Sequence, residues 1–501
     1  MNYTGVVRML GLLLAAFPAF VWAASCDGLK TLSLPDSEIT VAQAVEAGAF
    51  APPTGSASAF QNLPAFCRVA AILKPSIDSE IKIEVWMPVS GWNRKFLGNG
   101  NGGWTGSINY NSLANGLRLG FVTAMTDTGH QGGSASFALG HPEKLIDFAY
   151  RAVHEMTVAA KIFIKAYYGE DAALSYWTGC SQGGRQGLTE AQLFPRDYDG
   201  IIAGAPANSW VHMMAQIVWV AQSVHNDESS YIPPAKYPAI HQAVLQACDA
   251  LDGVRDGVLE DPTRCKFDPG ALQCKGADGP NCLTAPQVDA ARRIYSGAVN
   301  PRTRELIFPG LEPGSELGWD QFLAGPQPTP FALDEFKYVV FQNPDWDYRT
   351  LNFDSDVSKA DEMDHGLMNA TDPNLKTFFE LGGKLLQYHG WNDQLIAPLG
   401  SVNYYKSVLK SVGAKAQDSY RLYMVPGMKH CQGGDGTSNF DMLSVIQQWV
   451  EDRKAPGALA ASRVADGKVV RTRPLCPYPQ VAVYKGKGNT DDAQNFTCKN
   501  R

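Results

Sequence analysis

The chain has 501 residues, of which 45% are hydrophobic and 19% are charged, a composition typical of a large folded protein. Its formal net charge is −7 and no Lys/Arg run is longer than a pair, so nucleic acid is not an expected partner. A single hydrophobic core stops growing at about 250–300 residues, so the length predicts two domains or one domain with a large insertion.

The first 23 residues are predicted to be a secretory signal peptide. An apolar run over residues 9–22 is followed by the small residues Ala23 and Ala24, after either of which cleavage is expected. The run is too short for a lasting membrane anchor. A lipid-modified Cys26 is the alternative, but it would leave an odd number of cysteines for pairing. We therefore expect a secreted or periplasmic protein without a membrane anchor.

The chain contains ten cysteines, and an even number in an exported protein favours disulfide bonds. None of them is spaced as C-x-x-C, so zinc ribbons and thioredoxin-like redox chemistry are not expected.

Strands alternate with helices along much of the chain. Residues 81–85 alternate apolar and polar side chains, as a half-buried strand does, and residues 150–168 carry apolar side chains at helical spacing before Gly169. The further predicted strands cover residues 120–126, 175–178, 200–204, 384–388 and 420–425. Strands separated by helices predict a mostly parallel α/β sheet.

One segment, residues 209–380, interrupts this alternation. It is rich in Pro, Asp and Gly, and it holds four cysteines within 35 residues. We interpret it as an inserted domain between two parts of one core, residues 24–208 and residues 381–501.

A G-x-S-x-G pattern with Ser181 at its centre follows the strand predicted at residues 175–178. In a nucleophile elbow the serine lies on a sharp turn between a strand and a helix, and the flanking glycines permit close packing. The alternative is an ordinary strand–helix turn with a solvent-facing serine.

A nucleophilic serine needs a base and a residue that orients the base. Asp393 follows the strand predicted at residues 384–388, and His430 lies in a glycine-flanked loop after the last strand of the alternation. The order Ser, Asp, His is that of α/β-hydrolases. His389 is a rival base, but it precedes Asp393 and lies beside the strand, so we expect it to serve in packing.

A cysteine adjoins two members of this set, since Cys180 precedes Ser181 and Cys431 follows His430. A disulfide between them requires Cα atoms about 5.5–6 Å apart, and it would hold the serine turn and the histidine loop together. The alternative is that both cysteines pair elsewhere.

The chain resembles the tannase and feruloyl esterase family of α/β-hydrolases along nearly all of its predicted mature length. The matching stretches are NGNGGWTG, TDTGHQGG, DFAYRAVHEMTVAAK, YWTGCSQGGRQGL, FPRDYDGIIAGAPA, HGWNDQLIAP and VPGMKHCQGG. The resemblance implies an α/β-hydrolase fold, a Ser181–Asp393–His430 triad and a lid formed by residues 209–380. The disulfides that it implies are Cys26–Cys67, Cys180–Cys431, Cys248–Cys265, Cys274–Cys282 and Cys476–Cys498.

An oxyanion hole is expected from the same fold. One donor is the backbone amide of Gln182, and the second is that of Gly103, with Gly102 as the alternative. The same stretch also satisfies the dinucleotide pattern G-x-G-x-x-G at Gly98, Gly100 and Gly103, but no helical pattern follows it directly. We therefore expect no organic cofactor.

An acidic cluster lies in the insertion, where Asp249, Asp252 and Asp256 fall within eight residues beside glycines. Hard oxygen ligands at this density suit calcium, although the spacing is not that of an EF-hand. A solvated acidic loop is the alternative. The family resemblance implies a structural calcium site in the lid, with carbonyl oxygens from Val254 and Val258.

One other metal motif is incomplete. His154 begins the stretch HEMTV, in which Val158 occupies the position of the second histidine of a zinc-protease H-E-x-x-H signature. We expect no zinc-protease site here.

The lid segment also carries aromatic and basic side chains that bear on the substrate. The aromatic ones are either a stacking surface for an aromatic acid or, as we expect for most, the lid's own core. These residues are Phe331, Phe336, Phe341 and Trp346. Lys337 and Arg349 are candidates to pair with a substrate carboxylate.

The expected reaction is hydrolysis of an aromatic-acid ester through an acyl-enzyme. A feruloyl or other hydroxycinnamoyl ester is the first choice, a galloyl ester the second and a terephthalate monoester the third, with the acyl group carried by a plant polysaccharide or a polyphenol. A catalytically silent α/β-hydrolase that binds an aromatic or carbohydrate ligand is the alternative of another class. Acyl transfer to an alcohol other than water is a third possibility.

Overall fold

The computed structural model describes residues 24–500, so the predicted signal peptide lies outside the described residues. The strands are β1 Ser37–Val45, β2 Phe66–Leu73, β3 Ile81–Pro88, β4 Lys95–Asn99, β5 Val122–Thr126, β6 Leu174–Cys180, β7 Gly200–Gly204, β8 Ala298–Val299, β9 Leu306–Phe308, β10 Lys384–Gly390, β11 Tyr420–Val425, β12 Leu459–Ala465, β13 Lys468–Leu475, β14 Gln480–Tyr484 and β15 Phe496–Asn500. The α-helices are α1 Tyr110–Arg118, α2 Pro142–Ile146, α3 Ala152–Tyr168, α4 Gln182–Leu193, α5 Trp210–His225, α6 Tyr237–Cys248, α7 Ala285–Ser296, α8 Pro330–Asp334, α9 Ser355–Asp364, α10 Lys376–Glu380, α11 Leu399–Val412 and α12 Met442–Asp452.

Nine strands form one mixed sheet in the order β1-β2-β3-β5-β4-β6-β7-β10-β11. The neighbours among β1, β2, β3 and β5 pair antiparallel, and every neighbouring pair from β5–β4 to β10–β11 is parallel. Parallel neighbours need crossover connections, which α1, α3, α4 and α11 supply between successive strands. The parallel part agrees with the predicted α/β sheet, although its strand β4 was not predicted. Neither were the strands β1 and β2 or the antiparallel pairing at that edge.

Side chains of the central strands alternate between two cores on opposite faces of the sheet. Trp177 and Ile201 pack in the core that contains α3, α4 and α11. Their neighbours Tyr176 and Ile202 pack in the core that contains α12. The period of two residues follows from the strand pleat, and helices on both faces keep the parallel strands buried.

The structure shifts two predicted boundaries for local reasons. β5 begins at Val122 because Gly120, with φ of 79°, belongs to the turn that follows α1. α3 begins at Ala152 because a π-helical turn precedes it at Asp147–Arg151. The helix ends as predicted at Gly169, which has φ of 75°, a left-handed conformation that glycine adopts without strain.

The chain leaves the sheet between β7 and β10. Residues 205–383 hold α5–α10 and the short β8–β9 pair, and they contribute no strand to the nine-stranded sheet. Helix α5 is buried at 12 of its 16 residues, and its core includes Trp104 and Phe148 from the part of the chain before the insertion. Because one apolar core joins the two parts, the division at residues 209–380 stays a prediction.

The last four strands lie outside the nine-stranded sheet, as the antiparallel pairs β12–β13 and β14–β15. They pack against the acidic loop of the insertion, where Val254 shares a small apolar core with Cys476 and Phe496. Within residues 24–500, no helix combines the length and apolar character needed to cross a membrane.

Candidate active site

Ser181 lies on the sharp turn between β6 and α4. Its backbone has φ of 63° and ψ of −121°, a conformation that costs free energy for a residue with a side chain. Backbone hydrogen bonds hold it there: the Ser181 amide donates to the Gly204 carbonyl at 2.9 Å, and the Ala207 amide donates to the Ser181 carbonyl at 3.1 Å. This is the geometry of a nucleophile elbow.

Glycines make the turn possible by allowing backbone segments to touch. A Cβ atom on Gly179 would lie 2.4 Å from the Gly183 carbonyl oxygen, and a Cβ on Gly100 would lie 2.5 Å from the Gly183 Cα. Both distances are shorter than real contacts, so neither position accepts a side chain without movement of the backbone. The loop that contains Gly100 therefore packs directly on the start of α4.

A disulfide bond joins the serine turn to the histidine loop. Cys180 and Cys431 are bonded, with Cα atoms 5.9 Å apart across 251 positions of sequence. The other bonded pairs are Cys26–Cys67, Cys248–Cys265, Cys274–Cys282 and Cys476–Cys498, the same pairs that the family resemblance implies. No described cysteine is free.

Asp393 and His430 form a hydrogen-bonded pair in the loops after β10 and β11. The Nδ1 atom of His430 lies 2.7 Å from Oδ2 of Asp393. The Oδ1 atom of Asp393 accepts the backbone amides of Leu395 at 2.8 Å and Ile396 at 2.9 Å. Asp393 is fully buried, whereas the His430 side chain keeps 11% exposure, so its imidazole remains reachable.

The electrostatics of this pair favour an ionised carboxylate. Burial alone would raise the pKa of Asp393, but the charge of His430 and the hydrogen bonds from His389 and His430 outweigh it and hold that pKa well below its usual range. A permanently ionised Asp393 is suited to orient the His430 ring and to stabilise its protonated form.

His389 has a role that the sequence did not indicate. It was expected to serve in packing, yet its Nε2 atom lies 3.0 Å from Oδ2 of Asp393, and its Nδ1 atom lies 2.7 Å from the Ser401 hydroxyl. Because Asp393 Oδ2 is an acceptor, Nε2 is the protonated nitrogen and Ser401 donates to Nδ1. The side chain is fully buried, so no solvent competes for these bonds.

The structure shows no hydrogen bond between the Ser181 hydroxyl and the His430 ring among the described residues. Their proximity rests on the bond between their sequence neighbours Cys180 and Cys431. In ligand-free enzymes the catalytic hydrogen bond is often long and tightens only when substrate is present.

The expected oxyanion donors lie at the start of α4 and in the loop that packs on it through Gly100. Gln182 is the first residue of α4, a position at which the backbone amide has no acceptor within the helix. The Gln182 side chain is held by Arg185, a fully buried residue whose Nε donates to Gln182 Oε1 at 2.7 Å. Gly103 belongs to the loop packed on α4 and has φ of 51°. Its neighbour Gly102 is exposed.

Two side chains of the predicted lid lie beside residues of this site. A Cβ atom on Gly103 would lie 3.6 Å from the Phe331 ring, so Phe331 packs against the Gly103 loop. Phe322, which the sequence did not single out, has its ring centroid 6.4 Å from that of His430. Its position in a lid loop without periodic pattern gave no signal.

The other candidate substrate-contact residues of the predicted lid have different neighbours. The rings of Phe336, Phe341 and Trp346 pack against one another with centroids 5.3–6.3 Å apart, in the core that contains α5. The guanidinium of Arg349 lies over the Tyr348 ring, 4.9 Å from its centroid. Lys337 lies in the π-helical turn after α8 and is half-buried.

The acidic loop places four of the five predicted calcium ligands around one cavity of about 20 Å³, and they are Asp252, Val254, Asp256 and Val258. Asp249 does not line this cavity and accepts the backbone amides of Asp256 at 3.4 Å and Gly257 at 3.2 Å. Oxygen ligands of this kind are those that Ca²⁺ prefers, although Arg471 and Arg473 line the same cavity. Asp256 is also paired with Arg471 and Arg473 of the C-terminal strands.

Comparison with known sequences places the chain in a family. A family model described as tannase and feruloyl esterase matches residues 67–499. The chain is 40% identical to an esterase of Xanthomonas campestris described as uncharacterized, over 98% of this chain and 95% of that protein. It is 34% identical to a Neosartorya fischeri protein named probable feruloyl esterase B-2, over 94% of this chain and 91% of that protein.

Comparison with solved structures leads to the same family. Feruloyl esterase B from Aspergillus oryzae superposes with a TM-score of 0.88 at 30% identity, covering 95% of this chain and 99% of that one. Tannin acyl hydrolase from Aspergillus niger gives a TM-score of 0.75 at 24% identity, covering 93% and 90%, and shows the fold alone. The prediction of an α/β-hydrolase fold is confirmed. The chain belongs to the tannase and feruloyl esterase family of α/β-hydrolases, and it is a carboxylic ester hydrolase.

Proposed function

We propose that Ser181, His430 and Asp393 catalyse the hydrolysis of aromatic-acid esters through an acyl-enzyme. The observation that carries the proposal is the buried Asp393–His430 pair, which the Cys180–Cys431 bond ties to the strained Ser181 turn. A base, an orienting carboxylate and a nucleophile on an elbow are the parts that acyl transfer requires.

His430 moves the protons of both half-reactions. Its Nε2 atom takes the proton of the Ser181 hydroxyl as Oγ forms a bond to the ester carbonyl carbon. The imidazolium then gives this proton to the leaving alcohol as the carbon–oxygen bond breaks. In the second half, His430 takes a proton from water as the water oxygen attacks the acyl group. It returns that proton to Ser181 Oγ as the acid leaves.

Backbone amides stabilise the negative oxygen of each tetrahedral intermediate. We assign these donors to Gln182 at the start of α4 and Gly103 in the loop packed beside it. One such donor is typically worth about 3–4 kcal/mol of the activation barrier.

The substrate class is inferred from the lid and from the relatives. Phe331 beside Gly103 and Phe322 beside His430 supply aromatic surface next to the proposed oxyanion donor and the proposed base. Relatives along most of the chain are named feruloyl esterases. A feruloyl or other hydroxycinnamoyl ester is therefore the first candidate, ahead of galloyl esters and terephthalate monoesters.

The acidic loop would hold a calcium ion through Asp249, Asp252 and Asp256 and the carbonyl oxygens of Val254 and Val258. Bound calcium would neutralise the carboxylates and link the loop of the insertion to the C-terminal strands, so its role is structural.

We propose that the mature protein functions outside the cytoplasm. The signal peptide predicted over residues 1–23 and the five disulfide bonds both fit an oxidising compartment. There the enzyme would meet acyl groups esterified to plant polysaccharides or polyphenols.

Ser181→Ala is expected to lower kcat by about 10⁴–10⁶-fold, because the nucleophile is lost while the fold is kept. The assay compares methyl ferulate, methyl gallate, a terephthalate monoester and an acetyl ester, with methyl ferulate turned over fastest by the unaltered enzyme. A fluorophosphonate should label Ser181 of the unaltered protein. If no ester is hydrolysed and Ser181 resists the label, the chain is a silent binder and the proposal fails.

His389→Gln is expected to lower kcat by about 10–100-fold with little change in KM, because a hydrogen bond to the charged Asp393 is weakened. The pKa of Asp393 would rise, because one of the hydrogen bonds that lower it is weakened. Ser401→Ala, which removes only the partner of Nδ1, should give a smaller loss of kcat. A lower melting temperature with unchanged kcat would show that His389 serves only in packing.

Removal of calcium is expected to lower the melting temperature and leave kcat at 25 °C nearly unchanged. An ion present at 100 times its Kd stabilises the folded state by about 2.7 kcal/mol. Asp249→Asn should abolish the rise in melting temperature on adding calcium. Asp227→Asn, in the same insertion but outside the acidic loop, should keep that rise. Equal melting temperatures of the unaltered protein with calcium and with a chelator would contradict the assignment.

A further inference from the structure

A second polar cluster lies at the far end of α4 from Ser181. It consists of His154 from α3, Glu190 from α4 and Asp197 from the turn before β7. Each residue offers one ligand atom, and these three atoms all lie within 4.8 Å of one another. Glu190 is nine positions beyond Ser181, about 13 Å along the helix, so the cluster is separate from the proposed triad.

Glu190 has no hydrogen-bond donor beside its carboxyl group inside the protein. The residue is 1% exposed, and neither oxygen of its carboxyl group has a hydrogen-bond partner in the structure. Burial and the neighbouring Asp197 both raise the pKa of Glu190. A buried carboxylate without a partner is costly, so a bound proton or a bound cation must neutralise it.

His154 is held in a position to complete a metal site. Its Nδ1 atom lies 2.7 Å from Oδ2 of Asp197, a hydrogen bond that ligand-to-metal bonds would replace when an ion binds. Its ring stacks on Phe194 with centroids 3.8 Å apart, which fixes the ring plane. The His154 side chain is 29% exposed, so the cluster is open to solvent on this side.

One positive charge is already nearby. Lys161 donates to the backbone carbonyl of Asp197 at 2.6 Å and lies 3.9 Å from the Oδ1 atom of that residue. Its charge acts on Glu190 and partly opposes the effect of burial, but no hydrogen bond joins the two side chains, and the pKa of Glu190 stays raised.

We propose that His154, Glu190 and Asp197 bind a divalent transition-metal ion, with Zn²⁺ as the probe. One imidazole and two carboxylates supply three protein ligands and leave a fourth position open toward solvent, a donor set that suits Zn²⁺. The ion would link α3, α4 and the turn before β7 into one rigid unit. The sequence pattern did not indicate this site, because Glu190 and Asp197 lie 36 and 43 positions after His154 of the incomplete HEMTV motif.

The test uses the full mature chain without a polyhistidine tag, stripped of metal and supplied with excess Ca²⁺ to saturate the acidic loop. Zn²⁺ binding is measured by calorimetry at pH 7.5, and bound metal is counted after dialysis. We expect one Zn²⁺ per chain and a higher melting temperature. Co²⁺ in place of Zn²⁺ should give a visible absorption band from its ligand field.

Two variants decide whether these residues are the ligands. Glu190→Gln keeps the size of the side chain, and His154→Gln alters a partly exposed position, so at least one should fold. Each is expected to weaken Zn²⁺ binding by at least about 100-fold. Asp227→Asn, which lies outside both the acidic loop and the cluster, should bind Zn²⁺ as the unaltered protein does.

Two results would overturn the proposal. One is the absence of stoichiometric Zn²⁺ binding by the unaltered protein, which would leave a proton shared by Glu190 and Asp197 as the neutralising partner. The other is undiminished binding by folded Glu190→Gln and His154→Gln. Neither outcome bears on ester hydrolysis, which is not the readout.

Discussion

The disulfide bond between Cys180 and Cys431 is the constraint on which the proposed catalytic site depends. It joins two loops that are 251 positions apart in sequence, and its two residues are the chain neighbours of Ser181 and His430. A cross-link over so long a loop stabilises the fold by about 3–5 kcal/mol in the chain-entropy model. Here it also fixes the separation of a nucleophile and a base that are carried by different strands.

The loops on either side of this bond are prepared in different ways. Ser181 is held in an unfavourable backbone conformation by backbone hydrogen bonds and by glycines that let three segments touch. Asp393 is held by two backbone amides and two histidines in a fully buried position. The Ser181 turn has a strained backbone, and the Asp393–His430 pair holds a buried charge. Both are features of preorganised active sites.

The sequence was sufficient for six of the nine sheet strands and for the order of the proposed site residues. Ser181, Asp393 and His430 each follow a strand, and a cysteine adjoins Ser181 and His430, so local pattern identifies them. The sequence was not sufficient for His389, because a position beside a buried strand does not reveal whether the ring packs or binds a carboxylate. It also missed Phe322 in a loop without pattern, and the grouping of His154 with Glu190, because both contacts depend on tertiary packing. The sheet strands β1, β2 and β4 were not predicted.

The most direct test of this account is the rate at which a fluorophosphonate modifies Ser181 in a Cys180→Ser/Cys431→Ser double variant. The reagent reports the competence of the serine and its base without depending on the substrate. We expect this modification rate to fall by about 100-fold or more, because a small displacement of reacting groups has that effect. The near-ultraviolet circular dichroism of the double variant should be unchanged, which would show that it is folded. An undiminished rate in the folded double variant would contradict the claim that this bond positions His430 against Ser181.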